Sequence, residues 1–223
     1  MEFQPGIHQV FGLVVNSYLI EDDDGLTLID AGVSAKKVLR YLGRMGREPS
    51  DIVRIIVTHA DPDHMGGLAD LKAESGARVY ASPLEASAIA RGTLSRQLKP
   101  GPVARMFELL MSRVTLKPAV VDELLGDGQV LPVLGGLWVV YTPGHTPGHV
   151  SLYAPSVGVL FCGDSMVAPP LSRMVCSRGA NTWDEGKALA SVEVQRRLGA
   201  RIVCAGHGLV VRDADGRFPR PGT

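Results

Sequence analysis

Four apolar runs each stop within a few residues of a side chain that can hold a metal ion. This recurrence limits the fold more than any other feature of the 223 residues. Residues 56–57 (IV) lead into 58–64 (THADPDH), and 140–141 (VY) into 142–145 (TPGH). Residues 160–161 (LF) lead into 162–164 (CGD), and 203–204 (VC) into 205–207 (AGH). Rigid strands that deliver polar side chains to their exit loops are a common way to build a site. Imidazole and carboxylate together suit zinc, iron or manganese. The segment 59–64 carries the most weight, because His59, Asp61, Asp63 and His64 crowd into it just ahead of Gly66 and Gly67. If the chain stays extended there, alternation turns His59, Asp61 and Asp63 the same way and leaves His64 facing across to a second metal. His207 in its glycine-rich loop is weak evidence when taken alone.

The remaining pattern fills in the elements that such strands need. Apolar runs at 10–20 and 26–30, separated by an acidic turn ending in Gly25, read as strands. Ser34 stands at an N-cap position before Val38, Leu39, Leu42 and Met45, which share one helical face closed by Gly46. Strands follow at 52–57 and 77–81, with a helix at 66–75 between them. Residues 103–114 form an amphipathic helix pattern with apolar positions at i, i+3, i+4, i+7, i+8 and i+11. Strand-like runs resume at 129–134, 137–142, 150–154, 157–162 and 201–204. Thr182 and Glu185 have capping-box spacing before a helix reaching about Leu198. Strands outnumber helices without strict alternation, so a layered α/β or α+β domain is expected rather than a Rossmann sheet.

Charge and composition exclude several classes. Lys plus Arg equals Asp plus Glu at 23 each, so no basic excess exists to hold a nucleic-acid backbone or an anionic membrane. No apolar run reaches membrane-spanning length. The first residues lack the charged and apolar regions of a signal peptide, so a cytoplasmic location is expected. Cys162, Cys176 and Cys204 show no CxxC spacing and are read as reduced thiols, two of them core-facing. His8 is read as a surface residue, and His149 as a structural or outer-shell histidine rather than a ligand.

These segments together resemble the metallo-β-lactamase superfamily, whose hallmark is His-x-His-x-Asp-His followed by a distant His, a bridging Asp and a final His. Residues 58–67 match the first block, 142–149 (TPGHTPGH) the second, 161–165 (FCGDS) the third and 205–208 (AGHG) the fourth. The resemblance covers about residues 10–210 and implies a four-layer αβ/βα sandwich. It implies a single domain over 1–223, with a helical lid-like insertion at about 92–118. The 103–114 helix keeps three readings: core packing, a lid over the cleft, or the contact of a homodimer.

Carried over by position, the resemblance implies two divalent metal ions. One would be held by His59, Asp61 and His145, the other by Asp63, His64 and His207, with Asp164 bridging. The chain departs from the family at 61, where Asp replaces His; a carboxylate oxygen can reach a similar point, and an acidic replacement occurs in the flavodiiron branch. Asp61, Asp63, Asp164 and a bridging hydroxide would then balance the four positive charges of the ions. Such a centre is expected to be a weaker Lewis acid. Zinc is placed ahead of manganese and iron.

The activity implied is metal-dependent hydrolysis of a small ester, thioester or lactone by a hydroxide held between two ions about 3.5–4 Å apart, with Asp63 also orienting the attacking water. True glyoxalase II carries a helical glutathione-binding domain, for which few residues follow His207. Two other readings stand beside the hydrolase. One is an iron-dependent, oxygen-using enzyme of persulfide dioxygenase or flavodiiron type; the other is a catalytically silent metal-binding protein. The expected partner is a small-molecule substrate, with no nucleic acid and no membrane.

Overall fold

The computed structural model describes residues 1–12, 15–97, 100–101 and 116–220. The amphipathic stretch at 103–114 lies outside the described residues. Two compact units are present, one within Met1–Leu94 and Val114–Leu125, the other within Ser95–Arg113 and Gly126–Thr223.

The first unit is built on a seven-stranded sheet whose strands lie side by side in chain order. Strands β1 (Glu2–Gln4), β2 (Ile7–Phe11), β3 (Asn16–Asp22) and β4 (Gly25–Ile29) pair antiparallel. Strands β5 (Ile52–Ile56), β6 (Arg78–Ala81) and β7 (Glu123–Leu124) then add in parallel. Parallel pairing requires crossovers, and these carry helices α1 (Lys36–Met45), α2 (Pro62–Met65), α3 (Leu68–Ser75) and α4 (Pro83–Arg91). The core joins Leu19, Leu28, Ile55 and Val79 of the sheet to Val38 and Leu42 of α1, Leu68 and Leu71 of α3, and Ile89 of α4.

Several expectations are corrected in this unit. The apolar run at 10–20 is two strands, with Phe11 pairing to Asn16. Gly12 permits the reversal, because a Cβ there would lie 2.0 Å from the Val15 carbonyl oxygen. Helix α1 starts at Lys36 with Ala35 as its N-cap, so Ser34 does not cap it. Helix α4 has no apolar periodicity to announce it, since its buried face is Glu85, Ala88 and Ile89. His8 is buried, with Nε2 2.8 Å from Glu21 Oε1 and Nδ1 3.2 Å from the Tyr41 hydroxyl. A polar side chain in an inward strand position is accommodated by those partners.

The second unit holds a six-stranded sheet. Its strands are β8 (Val130–Leu131), β9 (Leu137–Tyr141), β10 (Val150–Ala154), β11 (Val159–Gly163), β14 (Ile202–Ala205) and β15 (Val211–Arg212). Their spatial order is β15-β14-β11-β10-β9-β8, and only β11 and β14 run parallel. Helix α5 (Glu185–Arg197) is the crossover between those two, and β12 (Met166–Val167) with β13 (Val175–Cys176) forms a small ribbon. Leu160, Cys162, Val203, Met174, Ala188 and Val192 form its core. The capping box expected at Thr182 and Glu185 is replaced by Asp184, whose carboxylate accepts the Lys187 N–H at 3.0 Å. Thr182 instead donates to Ser177 Oγ.

Candidate metal centre

In the first unit the ligand-rich loop leaves β5 and is extended only as far as Asp61, which has φ −87° and ψ 148°. Pro62 then opens α2, where its fixed φ suits the first helical position and its missing N–H costs nothing. The Asp61 carbonyl accepts the N–H groups of His64 and Met65 at 2.9 Å each. The expected three-residue alternation therefore stops at 61, and Asp63 and His64 are carried on a helical turn. That turn sets the His64 ring against His59 at a tilt of 45°, ring centroids 4.1 Å apart, and leaves Asp61 Oδ2 3.7 Å from His59 Nε2. His59, Asp61 and His64 are buried, while Asp63 is partly exposed.

The ring orientations are fixed from behind. His59 Nδ1 lies 2.9 Å from Thr58 Oγ1, and His64 Nδ1 lies 2.7 Å from Asp30 Oδ2. Asp30 also accepts the Thr58 N–H at 2.8 Å and its hydroxyl at 2.9 Å. It does so from a left-handed conformation, φ 60°, which Asp tolerates better than most residues. The wholly buried Glu85 of α4 accepts the Ala60 N–H at 2.8 Å, between two of the proposed ligands. Gly66 lets the loop close on its neighbour, because a Cβ there would approach the Val33 carbonyl oxygen to 2.4 Å.

In the second unit Asp164 gathers the remaining candidates. Its Oδ2 lies 3.0 Å from His207 Nε2 and 3.7 Å from His145 Nε2. His145 Nδ1 lies 3.0 Å from Ser177 Oγ. His149 uses Nε2 to accept the Asp164 N–H at 3.0 Å and has Nδ1 2.8 Å from Thr142 Oγ1. With both ring nitrogens engaged, it is a support rather than a ligand, as its sequence position suggested.

The first unit thus brings together His59, Asp61, Asp63 and His64, and the second His145, Asp164 and His207. Sequence reasoning missed Asp30, Glu85 and Ser177. Asp30 left a signal, an acidic residue closing the apolar run LTLI before Ala31 and Gly32; Glu85 and Ser177 left none, since only folding brings them to the ligand loops. The donor set fits a divalent metal. It consists of imidazole and carboxylate groups, with the Nδ1 atoms of His59, His64 and His145 oriented by a hydroxyl or carboxylate as in known metal sites.

The three cysteines are free and buried. Burial pushes the Cys162 thiol up to about 12 and the Cys204 thiol well above its ordinary value. A thiol so disfavoured as thiolate is a poor nucleophile.

Residues 10–207 match the Metallo-beta-lactamase superfamily. The probable metallo-hydrolase YqgX of Bacillus subtilis (strain 168) is 30% identical over 159 residues, 71% of this chain and 69% of that protein. A hydroxyacylglutathione hydrolase of Albidiferax ferrireducens is 27% identical over 193 residues, 84% of this chain but 60% of the enzyme. Among solved structures, TTHA1623 in a di-iron-bound form superposes with a TM-score of 0.70 at 28% identity, covering 93% of this chain and 96% of that one. The mixed sheets with their helices, and this agreement along nearly the whole chain, establish the α/β sandwich class expected from the sequence. The chain belongs to the metallo-β-lactamase superfamily.

Proposed function

We propose that the protein is a metal-dependent hydrolase of a small ester, thioester or lactone, with His59, Asp61, Asp63, His64, His145, Asp164 and His207 holding two divalent metal ions. The observation that carries this reading is the shared arrangement of His59, His64 and His145. In each, Nδ1 is occupied by Thr58, Asp30 or Ser177, so Nε2 is the nitrogen presented for coordination. Similarity to a hydroxyacylglutathione hydrolase supports a thioester or related acyl substrate. Bound there, such ions supply an activated water and polarise the acyl oxygen. The chain's own residues do the rest: Asp30, Thr58 and Ser177 hold the rings, Glu85 holds the loop, and Asp63 orients the attacking water. Zinc leads manganese and iron as the resident metal. The test is metal analysis of the purified protein together with turnover of p-nitrophenyl acetate, an acyl thioester and a simple lactone. Two ions per chain and turnover of one of these are expected. His145→Ala should lower metal content by about one ion and reduce turnover by at least about 100-fold. Wild-type turnover from that variant would remove His145 from the site.

A second reading, an iron-dependent oxygen-using enzyme, is favoured by the carboxylate at Asp61 and by the likeness to a protein solved with two irons. Iron in the purified protein, with oxygen consumed and no hydrolysis of the three substrates, would decide for it.

A further inference from the structure

The support behind Asp164 extends well beyond His149. An amide N–H can only donate, so His149 Nε2, 3.0 Å from the Asp164 nitrogen, must present its lone pair. The ring proton of the neutral imidazole therefore sits on Nδ1 and points to Thr142 Oγ1 at 2.8 Å. Having accepted that hydrogen bond, the Thr142 hydroxyl donates its own O–H to Ser151 Oγ at 2.9 Å. Ser151 in turn donates to Gln195 Oε1 at 3.3 Å, and Ser165 donates to the same oxygen at 2.9 Å.

The direction of this chain is set at its far end. Gln195 Nε2 donates to the Ser191 carbonyl at 3.1 Å. A carbonyl can only accept, so the side-chain amide is held with its oxygen toward the two serines. Gln195 is fully buried on α5, and Thr142, Ser151 and His149 are fully buried as well. A buried polar chain of this kind is retained only when each member has a partner of the right sense.

We propose that Gln195, Ser151, Thr142 and His149 form a directional hydrogen-bond chain that positions the Asp164 backbone, with Gln195 as its anchor. It deepens the metal-centre reading and rests on Asp164 being a ligand, because the consequence of misplacing that backbone is read at the metal. Each member is a positioning residue. Helix α5, which contributes no proposed ligand, thereby fixes the tautomer of a ring and through it the loop that carries the carboxylate.

The test uses the full-length protein, as purified and after zinc loading, with 15N-labelled histidine for the ring nitrogens and uniform 15N labelling for the Asp164 amide. In the wild type His149 should show a protonated Nδ1 and a pyridine-type Nε2. Thr142→Val, which removes the acceptor at nearly constant volume, should give mixed tautomers and speed exchange of the Asp164 amide by at least about tenfold. It should also weaken zinc binding, measured against a chromophoric chelator, by about 10–100-fold. Thr142→Ser should restore all three. Gln195→Leu should act in the same direction but less strongly, because Ser151 can turn toward the Cys162 carbonyl 3.5 Å away. A wild-type ring protonated on Nε2 would overturn the chain, and this measurement needs no variant to fold. So would a Thr142→Val protein with unchanged tautomer and unchanged Asp164 exchange. If the nitrogen signals behave as expected while the wild type takes up no metal, the chain stands and the metal reading falls.

Discussion

Asp30 concentrates three contacts in one side chain, accepting the Thr58 N–H and hydroxyl and orienting His64, from a backbone conformation that most residues avoid. Asp30→Ala should therefore lose about 2–4 kcal/mol of stability, the range for removing charged acceptors from buried donors. Asp30→Asn, which tolerates the same φ and keeps one acceptor oxygen, should lose about half as much. Urea denaturation reads both values, and an Ala variant within about 0.5 kcal/mol of wild type would show that Thr58 and His64 are held by something else. The thiols give the opposite kind of residue. Burial raises all three, Cys162 to about 12, so native protein at pH 8 should react with a thiol reagent far more slowly than unfolded protein. Rapid labelling of one thiol in the native state would contradict that burial. The sequence already marked two of these cysteines as core-facing, because they sit inside apolar strand runs. Asp30 was legible only as an acidic strand end, because its partners Thr58 and His64 lie far along the chain.

At the level of elements, the fit of α5 against the 142–149 loop depends on one absent side chain. Gly144 has φ 145°, and a Cβ there would lie 2.3 Å from the Ala188 Cα. Backbone cannot retreat as a flexible side chain can, so Gly144→Ala should force α5 away and cost about 1–3 kcal/mol. It should also loosen His145, whose carbonyl accepts the Trp183 N–H at 3.1 Å just before α5. Thermal unfolding and metal content should fall together. A variant that loses stability but keeps full metal affinity would separate the helix contact from the site. Elements with strong local patterns were legible: β10 runs Val150–Ala154 as expected, and α3 ends at Ser75 as expected. Helix α4 was not, because its inward face includes the carboxyl group of Glu85, and an apolar period cannot reveal a helix whose buried face is partly charged.

For the molecule as a whole, three carboxylates of the first unit that are paired with cations contribute to its acid limit. Hydrogen bonds from His8 and then Arg47 hold Glu21 below its ordinary value near 4.5. Lys72 and then the Val79 N–H do so for Asp122, and Arg54 for Asp24, each against an ordinary value near 3.8. A depressed folded value means that the stabilisation is fully present above the unfolded value and disappears as pH falls through the folded one. Stability should hold steady down to about pH 5 and decline below it, with the decline shallower in Glu21→Gln. A Glu21→Gln protein with an unaltered acid limb would show that the His8 and Arg47 contacts carry no such linkage. The sequence alone determined the family, the strand ends beside the candidate ligands, and the seven candidate side chains that the structure groups within the two units. It could do so because ligand type and short spacing are local properties, set by covalent order and by the period of a strand. Only the tertiary structure decided that Asp61 ends the extended run, that His149 spends both nitrogens on support, and that Asp30, Glu85, Ser177 and Gln195 stand behind the site. Hydrogen bonds between residues tens of positions apart depend on which backbone atoms the packed sheets and helices bring within about 3 Å.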